Sequence, residues 1–158
     1  MNPRELHGHT RPLRDAAPAR APLRRAAGRR ARVLLVDHLG SARSVLAAAL
    51  RGAGYHVELV ASGPAALAEL ERQGADVLLT DLYMPEMSGW DLTRLVRARG
   101  VASTRGWPLC VGLYSAVLSG VSRAQLARAR VDFAITKPGD PDAILEAVER
   151  ALAWAEVA

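Results

Sequence analysis

Cysteine is almost missing from this chain: Cys110 stands alone. An intrachain disulfide is therefore excluded, and a reducing cytoplasm suits such a sequence. Aromatic residues make up 4% of the chain against 50% hydrophobic overall, so alanine, leucine and valine must build most of the core. Cys110, placed in the middle of a strand, reads as a small core residue. Trp90, Trp107 and Trp154 read as packing or edge-covering residues rather than ligand platforms. No apolar run approaches the roughly 18 residues that span a bilayer. The N-terminal arginines are not followed by an apolar stretch, which excludes a secretory signal.

Acidic residues are scarce at one end. Residues 1–32 hold nine arginines against Glu5 and Asp15, a balance of +7, while the remainder holds 12 basic and 14 acidic residues, a balance of −2. The high pI therefore belongs to the tail. Residues 1–31 combine Pro3, Pro12, Pro18 and Pro22 with Arg and Ala and few large apolar side chains. Such a segment cannot bury enough surface to offset its ordering entropy, so it is expected to be a disordered arm. It is either a solvated leader or an electrostatic arm for nucleic acid, anionic lipid or an acidic partner. No aromatics interleave with its arginines, so base stacking has no support. His7 and His9 are too few for a metal site.

From Arg32 onward apolar and helical patterns alternate strictly. Val33–Val36 is a buried strand ending at Asp37. Residues 41–53 read as a helix, with Ser41 as N-cap and Val45, Leu46, Ala49 and Leu50 inward. A second strand spans 55–60 and a second helix 64–72, with Leu67 and Leu70 inward. Val77–Leu79 is a strand flanked by Asp76 and Thr80 and ending at Asp81; Pro85 has no N–H to continue a ladder. A helix follows over about 88–99, then a loop to Trp107 and a strand over 109–113 ending near Tyr114-Ser115. Residues 122–130 form a helix with a thin apolar stripe, Leu126 and Ala129. Residues 131–136 form a fifth strand ending at Lys137-Pro138. The last helix runs over 140–155, with Ile144, Leu145, Val148 and Leu152 inward and Asp140 or Asp142 at its N-terminus.

Five β-α units in alternation imply a parallel sheet with right-handed crossovers and helices on both faces. The doubly wound order 2-1-3-4-5, a flavodoxin-like (βα)5 fold, is expected over residues 32–156. In that order the first and third strands lie about 5 Å apart, and Asp37 and Asp81 face one spot at the carboxyl edge, where open α/β sheets bind ligands. Two carboxylates that close repel unless a cation sits between them. A hard divalent ion such as Mg²⁺ suits an oxygen site of carboxylates, carbonyl and water. Lys137 offers a point positive charge and Ser115 a hydroxyl donor. A carboxylate nucleophile, Mg²⁺, an ammonium and a hydroxyl together are what an acyl phosphate needs.

Residues 32–156 resemble the receiver domain of bacterial two-component response regulators. The stretches that carry the resemblance are VLLVD at 33–37, TDLYMPEMSG at 80–89, YSA at 114–116 and TKP at 136–138. The resemblance implies that Asp81 is the phosphoacceptor, fed by a histidine kinase or phosphotransfer protein. It implies that Asp37 and Asp81 hold Mg²⁺ with the backbone carbonyl of Tyr83, and that Ser115 and Lys137 contact the phosphoryl oxygens. It also implies a cytoplasmic regulatory phosphoacceptor rather than an enzyme, capable at most of self-catalysed phosphotransfer and dephosphorylation. No second globular segment follows, so a single-domain regulator acting through a downstream protein target is expected. A homodimer through the fourth and fifth helices is compatible with it, and a membrane partner is not expected.

Two positions depart from the family. A second acidic residue, usually the direct metal ligand, normally follows the first; here it is His38. A neutral imidazole is a poor Mg²⁺ ligand and moves preference toward softer ions, so weakened Mg²⁺ binding and slower phosphorylation are expected. Three residues before the lysine the family commonly has Tyr or Phe; here it is Ala134, with Phe133 on the opposite strand face. An alanine cannot swing between buried and exposed rotamers. The rival readings are a phosphorylation-independent protein-binding module on the same fold, and a receiver whose basic arm binds nucleic acid.

Overall fold

The computed structural model describes residues 31–157, without the side chains of residues 41–44. The expected arm at 1–31 lies outside the described residues except for Ala31. Ala31 belongs to the fold: it is buried, and its carbonyl accepts from the His56 N–H at 3.0 Å.

Ten elements follow in order: β1 (Arg32–Val36), α1 (Ser41–Gly52), β2 (His56–Val60), α2 (Gly63–Arg72), β3 (Val77–Thr80), α3 (Gly89–Ala98), β4 (Cys110–Ser115), α4 (Arg123–Ala129), β5 (Phe133–Thr136) and α5 (Pro141–Val157). The strands form one sheet in the order β2-β1-β3-β4-β5, all pairs parallel. This is the doubly wound arrangement that the alternation predicts. Strand side chains alternate between faces, which splits the core in two. Val33, Leu35, Val77, Leu79 and Tyr114 pack with α1 and α5 on one side. Leu34, Val36, Leu78 and Val111 pack with α2 and α3 on the other. The central strands are buried on both faces, which is why they read as apolar runs rather than alternations.

Local chemistry fixes the helix starts. Ser62 accepts from the Ala65 N–H at 3.2 Å. Ser88 and Asp91 form a reciprocal capping box at α3, as do Ser122 and Gln125 at α4. At α1 the expectation fails: Ser41 is already helical, and the N-cap is Gly40, without a side-chain cap bond. Val45 is 65% exposed rather than inward. The inner face is Leu46, Ala47 and Leu50, offsets of one and four that place three side chains on one stripe.

The fifth strand is two residues shorter than its apolar run. Arg130 caps α4 in the left-handed region, φ 57°, and the Val131 N–H closes back onto the Leu126 carbonyl at 3.0 Å. Residues 130–132 are therefore spent on the turn. The Arg97 guanidinium holds it by donating twice to the Arg130 carbonyl, at 3.1 and 2.7 Å, and once to Asp132 at 2.9 Å. Helix α4 buries none of its residues completely. Cys110 opens β4 rather than lying mid-strand, and is buried as expected. Trp107 is half-buried with the Arg105 guanidinium 5.7 Å above its ring, whereas Trp154 is 66% exposed and covers little.

Candidate functional site

Strand register brings the site together. Val36 pairs with Thr80 across β1 and β3, so the next residue of each strand, Asp37 and Asp81, emerges at the same height. The Asp37 N–H donates to the Val60 carbonyl at 3.2 Å and the Asp81 N–H to the Val36 carbonyl at 3.1 Å, extending the ladder one step past each strand. Both carboxylates are buried, at 1% and 7% exposure. Buried charges need partners. The Lys137 ammonium supplies them, donating to Asp37 Oδ2 and Asp81 Oδ2 at 2.9 Å each. The remaining oxygens accept from backbone: Asp37 Oδ1 from the Leu39 N–H at 2.8 Å and Asp81 Oδ1 from the Leu82 N–H at 2.7 Å.

Lys137 is the only lysine of the chain, among 21 basic residues. A compact ammonium can bridge two carboxylates and still turn toward a third anion, which the flat guanidinium fork does less readily. Its backbone is fixed too: the Lys137 N–H donates to the Ser115 carbonyl at 2.9 Å. The Tyr114 ring stands 5.0 Å from the ammonium, a cation–π contact that the motifs did not flag. Burial alone would lower the lysine pKa, but the hydrogen bonds and charges of Asp81 and Asp37 outweigh it, and the net direction is upward. Burial likewise pushes Asp37 up, yet the Lys137 hydrogen bond, the Leu39 N–H and the nearby positive charges bring it below the usual carboxylate value. Lys137 stays charged and Asp37 ionised at neutral pH.

His38 is exposed, but a ring nitrogen and one oxygen each of Asp37 and Asp81 lie within 4.8 Å of one another. Ser115, buried at the end of β4, keeps its hydroxyl for the Val117 N–H at 3.4 Å; no hydrogen bond joins it to Asp81. The Tyr83 side chain is 60% exposed in the β3–α3 loop. Gly89 abuts Asp81 from behind: a β-carbon there would meet the Asp81 carbonyl oxygen at 2.2 Å. Its N–H donates to the Leu82 carbonyl at 2.8 Å. The structure thus brings Asp37, Asp81, Lys137 and His38 together, while the Ser115 hydroxyl is engaged by the Val117 N–H and the Tyr83 side chain is exposed.

The family model for the response regulator receiver domain matches residues 33–149. The chain belongs to this family. It is a receiver domain of two-component signalling. It is 48% identical over 67 residues to the sensory transduction protein RegX3 of Mycolicibacterium smegmatis, a match covering 42% of this chain and 29% of that protein. The chain thus aligns with less than a third of that relative. Among solved structures it superposes on the chemotaxis response regulator CheY4 of Vibrio cholerae with TM-score 0.69 at 27% identity, covering 78% of this chain and 99% of that one. The receiver domain of a Pseudomonas aeruginosa sensor histidine kinase, with a magnesium ion coordinated in its active-site cleft, superposes with TM-score 0.66 at 27% identity, covering 79% and 99%. Among the described residues, no helix is long and apolar enough to cross a membrane.

The Asp37 and Asp81 pair fits a divalent cation, because two buried carboxylates stand side by side at the pocket floor with a ring nitrogen of His38 in reach. The two carboxylates supply oxygen donors of the kind Mg²⁺ takes; the third side chain in reach is an imidazole rather than a carboxylate.

Proposed function

We propose that Asp81 accepts a phosphoryl group from a histidine kinase or phosphotransfer protein, within two-component signal transduction. The observation that carries this reading is the Lys137 ammonium held 2.9 Å from both Asp37 and Asp81 at the carboxyl edge of the sheet. An Asp81 oxygen attacks phosphorus of the donor phosphohistidine; the new acyl P–O bond forms as the P–N bond breaks, and the imidazole leaves as a neutral ring after taking a proton. Phosphoryl transfer asks mainly for positioning and charge neutralisation. Lys137 supplies a fixed positive charge, and Ser115 a hydroxyl one residue beyond the position opposite Asp81. Asp37, Asp81 and the Tyr83 carbonyl would hold a divalent ion, which would neutralise further charge; the similar kinase receiver has magnesium coordinated in its cleft. The protein itself acts as a regulatory phosphoacceptor.

The readout differs from an aromatic swing. Ala134 stands at that position, and Phe133 is held on the opposite face, over Gly112. We assign the readout to the loop between Ser115 and Ser122, where Ala116 and Val117 are exposed, moving with Ser115 toward the phosphoryl oxygens. Incubation with acetyl phosphate and a divalent ion tests the assignment by intact mass. One added phosphoryl group is expected in the wild type and none in Asp81→Asn. An equal mass gain in the variant rules it out.

A further inference from the structure

His38 is exposed beside the two buried aspartates, and the receiver chemistry above does not use it. It is carried on a pinned backbone: Asp37 is held by Lys137, and the Leu39 N–H on the far side of His38 donates to Asp37 Oδ1 at 2.8 Å. The turn therefore folds over its own carboxylate and keeps the imidazole above the pocket. A ring nitrogen and one oxygen of each buried aspartate lie within 4.8 Å of one another; metal–nitrogen and metal–oxygen bonds of about 2 Å each span about 4 Å, so the exposed imidazole need close on the carboxylates by no more than about 1 Å to share one ion with them.

We infer that this pocket is a mixed nitrogen–oxygen centre in which His38 ligates the ion and selects borderline first-row divalent ions, such as Co²⁺ and Zn²⁺, over Mg²⁺. The inference rests on reading the same pocket as the receiver's divalent-ion site. Two physical terms carry it. The first is charge: a second acidic side chain at position 38 would add one more negative charge beside Asp37 and Asp81, and the imidazole does not supply it. Mg²⁺ dehydrates reluctantly and is held by carboxylate charge, so it loses most from that change. The second is ligand softness. Imidazole bonds Zn²⁺ and Co²⁺ well and Mg²⁺ poorly, so the substitution that weakens the hard ion supplies a good donor to the borderline one. Burial sets the geometry, with the aspartates at 1% and 7% exposure beneath and His38 at the rim. The carboxylates form the floor and the imidazole closes the site from the solvent side.

Every oxygen-rich site favours Zn²⁺ and Co²⁺ over Mg²⁺ to some degree, so the test is a change in selectivity. Calorimetric titration of the full chain, His38→Asp and His38→Ala with Mg²⁺, Zn²⁺ and Co²⁺ gives the three affinity ratios. His38→Asp is expected to lower the Zn²⁺-over-Mg²⁺ preference about 10- to 100-fold, with Mg²⁺ gaining affinity. The Co²⁺-loaded wild type is expected to show paramagnetically shifted, carbon-bound ring protons of His38 that both variants lack. Ions held by other histidines survive both substitutions and are subtracted. Selectivity unchanged in His38→Asp, or no shifted ring protons of His38, overturns the inference. The two readings fail separately. Altered selectivity without phosphorylation of Asp81 sinks the phosphoacceptor assignment alone, and phosphorylation supported by Mg²⁺ with unchanged selectivity in His38→Asp sinks this one alone.

Discussion

Gly89→Ala sets two effects against each other. Helix propensity favours alanine by about 1 kcal/mol in a helix interior, and Gly89 is the first residue of α3. A methyl there, however, would stand 2.2 Å from the Asp81 carbonyl oxygen and 3.1 Å from both the Asp81 carbonyl carbon and the Leu82 Cα. Carbon–oxygen contacts settle near 3.3 Å, so the chain after β3 must retreat by about 1 Å. The displaced group is backbone, with no rotamer to absorb the strain. A misplacement of that size costs on the order of 10²-fold in a reaction that depends on alignment. It also breaks the Gly89 N–H bond to the Leu82 carbonyl, now 2.8 Å. We expect Gly89→Ala to lower the acetyl phosphate labelling rate about 100-fold and to lower the melting temperature rather than raise it. Wild-type labelling with a raised melting temperature would show that the turn relaxes freely, and would refute the argument that Gly89 sets the position of Asp81.

Three further outcomes follow from the packing. A β-carbon at Gly112 would meet the Phe133 ring at 2.3 Å, so Gly112→Ala is expected to destabilise by about 1–3 kcal/mol. Phe133→Leu in the same chain should recover part of that loss in thermal denaturation; strictly additive losses contradict the contact. Arg130→Gly relieves a left-handed φ of 57° and leaves the carbonyl that Arg97 grips, so it should stabilise by about 1 kcal/mol. An unchanged or lower melting temperature counts against it. Burial, aided by Asp132, pushes the Cys110 thiol up to about 11 from 9.0. The unfolded thiol ionises first, so stability falls as pH rises through that window; denaturant titrations should show a steeper fall for wild type than for Cys110→Ala, and parallel curves would contradict this.

Much of the fold was legible because each strand of a parallel sheet carries its own signature. Apolar runs such as VLLV end at a polar residue, and strict alternation leaves few topologies. The same logic exposed Asp37, Asp81, Ser115 and Lys137, since a strand's carboxyl end is set by where its apolar run stops. Phase within α1 was not legible. Residues 45–50 are all apolar, so the pattern offers no contrast, and Val45 fell on the wrong face. The end of β5 was hidden because a left-handed Arg130 leaves no mark in composition; glycine would have signalled that turn. Tyr114 was missed as a partner of Lys137 because that contact depends on register across β4 and β5, where Tyr114 pairs with Ile135. A signal was present in the lysine itself, single among the basic residues and placed at the site.

The central claim is that the phosphoryl group sits on the carboxylate of Asp81. Borohydride reduces an acyl phosphate to the alcohol, and peptide mapping of acetyl phosphate-treated protein then names the residue. The account predicts homoserine at position 81 and an unchanged residue at Asp37. Label found on His38 or Asp37, or labelled protein that keeps intact aspartate at 81, would contradict it.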